Sequence, residues 1–280
     1  MLSVFNGEKY LAAQLDSIIN QTLADFVLYT RDDGSSDSSP EILRHYSDRD
    51  ARIKLVSSHS GHLGLTPSLK VLLQQVREPV IFFADQDDEW MPHKMETMTL
   101  QVRLLQPAKP WVIFSDLLVT DSSLNVIHDS FWDLARINPD QTSFSQVVRR
   151  NPVTGCASAI NAKMLETALR MPDEAIHDWW MATMAALEGM LLPVREPLVL
   201  YRQHNKNTIG AHRGGILRAG PLLGSSMARK TYLRQLDNSL KHLEALNRSK
   251  TVVADIQLCQ EIRWEIRRRK RCRNMLSFFS

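Results

Sequence analysis

Val80-Ile81-Phe82-Phe83-Ala84-Asp85-Gln86-Asp87-Asp88-Glu89 is the stretch that decides the fold. The apolar run, from Pro79 to Ala84, is too short for an ordinary helix and reads as a strand buried on both faces. Four carboxylates within the next five residues stop it. The same grammar repeats on either side. Met1–Phe5 is a short apolar run closed by Asn6-Gly7, Phe26–Thr30 is closed by Asp32-Asp33-Gly34, and Ile53–Ser57 and Trp111–Thr120 are further strands. Between them, Glu8–Gln21, Ser38–Tyr46, Pro67–Val76 and Pro92–Leu105 carry apolar residues at helical spacing. Strands alternating with amphipathic helices predict an α/β domain with a mostly parallel central sheet flanked by helices. In such sheets ligands bind beyond the carboxyl ends of the strands, where the two acidic clusters stand.

Past residue 130 the pattern loosens. Val153–Asn161 reads as a strand preceded by a loop, His177–Gly189 as a helix and Leu191–Leu200 as an extended segment. A stretch carrying Gly210, Gly214, Gly215, Gly220 and Gly224 then reads as a linker, and residues 226–274 as helix in two pieces, parted near Asn247–Lys250. The organisation expected is a domain over 1–212 and, over 213–280, a Gly-rich linker with a basic amphipathic helical extension.

Charge follows that division. Residues 1–200 carry 17 Lys+Arg against 26 Asp+Glu, a net of −9, whereas residues 201–280 carry 17 against 5, a net of +12. An acidic body suits cation-assisted chemistry and a basic tail suits an anionic surface. Three widely spaced cysteines exclude a disulfide framework and a cysteine zinc cage. No apolar run of about 18 residues is present, and the start lacks the features of a signal peptide. The expected location is the cytoplasm, peripheral on the cytosolic face of the inner membrane. No phosphate-loop, dinucleotide-fold, nucleophile-elbow or zinc-protease motif occurs.

Three constellations carry chemistry. Asp85–Glu89 offers hard oxygen ligands for Mg²⁺ or Mn²⁺, although a solvated loop capping the next helix would show the same pattern. His177-Asp178-Trp179-Trp180 offers a carboxylate with aromatic walls for a sugar, although Asp178 also suits the first turn of a helix. Tyr201-Arg202-Gln203-His204 ends an extended segment, where Arg202 and His204 on one face can meet a diphosphate or a metal.

Together with Ser3-Val4-Phe5-Asn6-Gly7-Glu8-Lys9-Tyr10-Leu11, Arg31–Asp37 and Thr154-Gly155-Cys156, these segments resemble the family 2 inverting glycosyltransferases, in the bacterial rhamnosyltransferase-like branch. The resemblance runs over residues 1–212 in order and implies a GT-A fold, a dTDP- or UDP-linked sugar donor, and Mg²⁺ or Mn²⁺. It places Ser3, Phe5, Asn6, Glu8, Asp32, Asp33, Asp85, Gly155 and Arg202 on the donor, with Phe5 stacked on the base. It places Asp87, with Asp88 and His204, on the metal, Asp178 as the catalytic base, and His177, Trp179 and Trp180 on the acceptor side. The departures are Phe5 where Tyr is usual and a first strand that begins late. The alternatives are a degenerate saccharide-binding or assembly protein and a sugar nucleotidyltransferase. The expected acceptor is a saccharide or lipid-linked saccharide of surface polysaccharide such as O-antigen.

The tail adds seven cations within residues 263–273, interleaved with Ile262, Trp264 and Ile266 and followed by Met275, Leu276, Phe278 and Phe279. That pattern predicts an interfacial segment on anionic lipid, with no nucleic-acid partner.

Overall fold

A computed structural model describes residues 1–57, 61–204, 240, 242–248 and 256–277. The first half alternates as expected: β1 (Leu2–Val4), α1 (Leu11–Ile19), β2 (Leu28–Asp32), α2 (Ser39–Arg49), β3 (Ile53–Leu55), α3 (Leu65–Leu73) and β4 (Val80–Phe82). β1, β2 and β3 pair in parallel, with Leu2 opposite Thr30 and Leu28 opposite Ile53. A single parallel bridge from Leu2 to Ala84 joins them to β4. Helix α1 buries Leu11, Leu15 and Ile18, a stripe at helical spacing, in the common core.

The second half is mixed rather than parallel. Its elements are β5 (Glu89–Trp90), α4 (Lys94–Val102), β6 (Trp111–Thr120), β7 (Val126–His128), α5 (Phe131–Ala135), α6 (Phe144–Arg149), β8 (Ser158–Asn161), α7 (Ala162–Leu169), α8 (His177–Glu188) and β9 (Met190–Arg202). Strand order runs β4-β8-β6-β9-β5, with β7 added to β6. β8 is antiparallel to both β4 and β6, β5 is antiparallel to β9, and only β6 and β9 run parallel. The expectation of parallel pairing therefore holds for β1 to β4 and for the β6–β9 pair. β8 runs the other way and fills the gap between β4 and β6.

β6 is buried almost throughout, because layers cover both its faces. Each such Val, Ile or Phe contributes about 1.5–3 kcal/mol by leaving water. One apolar core spans both halves and takes in Leu243, Ala245, Leu246 and Ile262. Helix occurs at 242–248 and at Ile256–Ser277, and most of the first expected piece and the break between the two lie outside the described residues. The second piece is not free on all sides. Ile262 is fully buried and Ile266 packs against the core, so these two anchors serve the protein interior. Trp264 is half exposed. The glycine-rich stretch, the boundary at 212 and the side chains of Met275, Leu276, Phe278 and Phe279 lie outside the described residues.

Candidate active site

The carboxyl ends of β1 and β2 face each other and are laced by side chains. Asn6, at φ 50°, donates its N–H to Ser35 Oγ at 2.8 Å and accepts the Ser36 N–H at 2.8 Å. Glu8 accepts the Ser38 N–H at 3.0 Å, and its own N–H donates to Asp37 at 3.0 Å. Asn6 and Glu8 thus hold two loops together. Asp32 accepts the N–H groups of Gly34 and Ser35, both at 3.1 Å, a side-chain turn at the strand end. Phe5 is 40% exposed, with its ring 4.1 Å from that of His62. An exposed aromatic ring at the end of a strand can take a planar base. Ser3 Oγ instead meets Ser68 Oγ at 2.6 Å.

Asp33 turns away from this opening. It is buried, pairs with Arg31 and His62, and accepts the N–H groups of Leu63 and Gly64 at 2.9 and 2.8 Å. Burial raises its pKa, but the Arg31 guanidinium and the two N–H donors hold it below the ordinary carboxylate value. The structure therefore gives Asp33 the task of fixing the 61–64 loop.

The acid loop after β4 is braced from below. Gln14, fully buried on α1, donates to the Asp85 carbonyl at 2.8 Å. Gln86 accepts the Phe5 N–H at 2.8 Å and donates to the Phe5 carbonyl at 3.0 Å, locking the acid loop to the β1 loop. The three aspartates then diverge. Asp87 remains partly exposed, with Oδ2 at 2.7 Å from His204 Nε2. Asp88 is fully buried and accepts the Arg202 N–H at 3.0 Å, while its Oδ2 has no hydrogen-bond partner. The ligand atoms of Asp85, Asp88 and Cys156 lie within 4.8 Å of one another. Burial, reinforced by the charges of Asp87 and Asp178, pushes Asp85 up to about 7. Burial and the charges of Asp87 and Asp85 push Asp88 well up too. Crowded carboxylates of this kind favour a cation.

Carboxylate oxygens with one imidazole suit Mg²⁺ or Mn²⁺, so the donor set fits the ion implied by the sequence. Asp87 and His204 stand side by side, 2.7 Å apart, on the partly exposed side of the loop. Asp88 faces inward, where its ligand atom stands with those of Asp85 and Cys156 in a group that could itself hold a cation.

At the other rim, Asp178 opens α8. It is 7% exposed, with Oδ2 accepting the Gly155 N–H at 3.1 Å and Oδ1 accepting the Trp179 N–H at 2.6 Å. Burial raises its pKa against the lowering effect of His177 and these N–H donors. A raised carboxylate suits proton abstraction. The Gly155 N–H that Asp178 accepts directly precedes Cys156, whose Sγ lies within 4.8 Å of Asp85 and Asp88 ligand atoms, so the acid loop and the start of α8 adjoin each other.

Three expectations are corrected. Trp179 and Trp180 are buried, and their indole N–H groups donate to the Val147 and Thr167 carbonyls at 2.7 and 3.3 Å. They are core residues, because all of His177–Ala185 is buried. Arg202 is 4% exposed and spends its guanidinium on Glu89 and on the Asp87 and Ser122 carbonyls at 2.8, 2.8 and 3.0 Å. It staples β9 to the acid loop. Gly155 supplies its N–H to Asp178, and its lack of a side chain leaves room for His177.

Lys94 escapes sequence reading. It is fully buried, donates to the Cys156 carbonyl at 2.5 Å and lies 3.6 Å from the centre of the Trp90 ring. Burial lowers it to about 7, while Asp88 and Asp85 act to keep it charged. The signal for it was the acid cluster itself, which calls for a nearby cation. Tyr10 is the other omission. Its ring lies 5.1 Å from that of His204 and 4.5 Å from the Arg202 guanidinium.

Residues 1–103 match the family described as glycosyl transferase family 2. A dTDP-rhamnosyl transferase, RfbG of Shigella flexneri, is 25% identical over 229 residues, which cover 75% of this chain and 74% of that protein. The Bacillus subtilis proteins EpsH and EpsJ are both 33% identical, but the chain spans only 28% and 25% of their lengths. In fold, the chain is similar to S. aureus TarS in complex with UDP-GlcNAc, at TM-score 0.62 and 12% identity, covering 96% of this chain and 70% of that one. It is likewise similar to a Pyrobaculum calidifontis mannosyltransferase in complex with GDP-Man and Mn²⁺, at TM-score 0.61 and 13% identity, covering 97% and 72%. Residues 1–103 of this chain thus match glycosyl transferase family 2, and the chain as a whole shares the GT-A fold of these solved glycosyltransferases.

Proposed function

We propose that the chain is an inverting, metal-dependent glycosyltransferase that moves one sugar from a nucleotide donor to a saccharide or lipid-linked saccharide in surface polysaccharide synthesis. The observation that supports this reading is the acid loop itself, which Gln86 ties to the Phe5 backbone, which pairs Asp87 with His204, and whose Asp85 adjoins Cys156 next to the Gly155 N–H that Asp178 accepts. Phe5 and Asp32 receive the base, within the frame that Asn6, Glu8 and Ser3 hold. Asp85 lies toward the ribose and the donor sugar. Asp87 and His204 would hold Mg²⁺ or Mn²⁺, which when bound offsets charge on the diphosphate. Asp178 takes the proton from an acceptor hydroxyl, whose oxygen attacks the anomeric carbon as the bond to the diphosphate oxygen breaks. One displacement inverts the configuration. The likeness to RfbG favours dTDP-rhamnose over a UDP-sugar as donor.

The outward face of the C-terminal helix supports a peripheral membrane position. Arg263, Trp264, Arg267 and Arg271 are exposed there. Each basic residue near an anionic leaflet is worth about 1 kcal/mol. A site held at the cytosolic face of the inner membrane would meet a lipid-linked acceptor.

The test is thermal stability with UDP, dTDP, GDP or CMP, with and without Mn²⁺. Ligand binding raises the melting point as concentration exceeds Kd. The reading expects a Mn²⁺-dependent rise with dTDP or UDP that Asp87→Ala removes. A folded chain indifferent to all four would overturn it in favour of a degenerate domain.

A further inference from the structure

The C-terminal segment touches the candidate base's helix at several points, and they gather around Trp179. Arg269, 1% exposed, lies with its guanidinium carbon 5.3 Å from the Trp179 ring centre. It donates to the Arg149 carbonyl at 2.6 Å, at the end of α6, and to Glu265 at 3.0 Å. Glu265 is itself 1% exposed and pairs with Arg268 as well. From the other helical piece, His242 is fully buried and stacks on Trp179, with ring centroids 4.5 Å apart and planes 13° apart. Its Nε2 meets Thr183 Oγ1, one turn further along α8, at 3.5 Å. Arg248 pairs with Glu174 in the loop that leads into α8, and Lys270 joins the two pieces through Glu244 at 2.6 Å.

A charged pair sealed in a core is costly unless its geometry and hydrogen bonds are complete. A solvated tail has no need of one. Here the pair lies within the C-terminal helix, and Arg269 reaches from it to the Arg149 carbonyl at the end of α6, with its guanidinium set on an aromatic ring. That ring belongs to the residue that follows Asp178, and the Trp179 N–H is one of the two backbone donors that hold the Asp178 carboxylate.

We propose that Arg269 and His242 are positioning residues: by packing on Trp179 they fix the first turn of α8, so that the C-terminal segment sets the aim of Asp178. The inference rests on the assignment of Asp178 as base. It also gives the basic helix two distinct faces. Ile262, Glu265 and Arg269 serve the site, while Trp264 and Arg267 remain exposed.

The experiment uses the full chain with UDP-glucose, UDP-GlcNAc, dTDP-rhamnose and GDP-mannose in Mn²⁺, reading nucleoside diphosphate release. Arg269→Met is expected to lower kcat about tenfold to a hundredfold, the usual cost of a misplacement near 1 Å, with the donor KM held. Arg269→Lys, which keeps the charge, recovers part of the loss. In an Asp178→Asn background Arg269→Met costs nothing further, because both act on one step. With 5-fluorotryptophan in the chain, the Trp179 signal, identified by Trp179→Phe, shifts in Arg269→Met. If Arg269→Met does not fold, His242→Leu carries the same test. A folded Arg269→Met protein with wild-type kcat, or an additive loss in the Asp178→Asn background, overturns the proposal. Unchanged turnover in Asp178→Asn alone fails the base assignment instead.

Discussion

Gly155→Ala probes the corner where the 155–157 turn meets α8. A Cβ at Gly155 would stand 2.6 Å from His177 Nε2 and 3.1 Å from its Cε1. Non-bonded heavy atoms settle at about 3.5 Å, so the imidazole must retreat by roughly 0.9 Å. It has little room to do so. His177 is 8% exposed, and its ring lies 5.8 Å from that of Phe83. Gly155 is not among the residues with positive φ, so backbone strain adds nothing to the steric effect. The displacement passes to Asp178, which follows His177 directly and is held by the Gly155 N–H at 3.1 Å. A misplacement near 1 Å costs about 10²-fold in rate, and overpacking costs about 1–3 kcal/mol of stability. The assay is nucleoside diphosphate release under saturating donor, alongside a denaturant melt. The expected result is a kcat lower by about 30- to 100-fold with the donor KM little changed. Adding His177→Ala opens the space again and restores part of kcat. Wild-type kcat in folded Gly155→Ala would refute the steric reasoning. A raised donor KM with kcat intact would return Gly155 to the donor contact that the motif resemblance assigned it.

Asp178→Asn should keep nucleotide-dependent stabilisation and lose turnover by a factor of about 10²–10⁴, and a kinetic assay with full turnover would remove it as base. Because burial raises the Asp178 pKa, activity should fall on acidification at a pH above the ordinary carboxylate value, which a pH profile of kcat measures. His242 is held neutral by burial and by Arg269, its pKa lowered from 6.5 to about 3. The unfolded chain then takes the proton first, so this contribution is whole above pH 6.5 and is lost at about 1.4 kcal/mol per pH unit on going down toward 3. Urea melts of His242→Phe should show a shallower acid slope over that window, and an unchanged slope would contradict the burial. Trp264→Ala together with Arg267→Ala should weaken sedimentation with phosphatidylglycerol vesicles while leaving the melting point near wild type. Equal binding by the variant would remove that face as the membrane contact.

The parallel half was legible because its signals are local. Asn6-Gly7 and Asp32-Asp33-Gly34 end strands by turn chemistry, and Leu11, Leu15 and Ile18 mark one helical face. β8 was legible as a strand but not in direction, since pairing to β4 and β6 depends on residues about 50 to 80 positions away. β5 has two residues and carries no periodicity. Within the site, residue types did not tell open side chains from sealed ones. Asp87 and Asp88 are adjacent carboxylates, yet only one faces His204. Trp179 and Trp180 read as sugar walls, but each indole finds a buried carbonyl. Lys94 looks like a surface helix residue until packing places it beneath the acid loop.

The β6–β9 ladder also bears on how the chain tolerates changes in length. Ten residues of β6 run beside thirteen of β9, and the surplus is taken up in irregularities around Ser115, Asp116 and Leu118. Side chains alternate along a strand, so removing one surplus residue would exchange the faces of everything beyond it. Arg202 and His204, two residues apart and so on one face, would then both address the opposite side of the sheet. The hairpin between β6 and β7, by contrast, lies beyond the last pairing of this ladder. Insertions and deletions should therefore accumulate at residues 121–125 and be purged from 195–197, a pattern that a library of single-codon deletions would reveal without any substrate in hand.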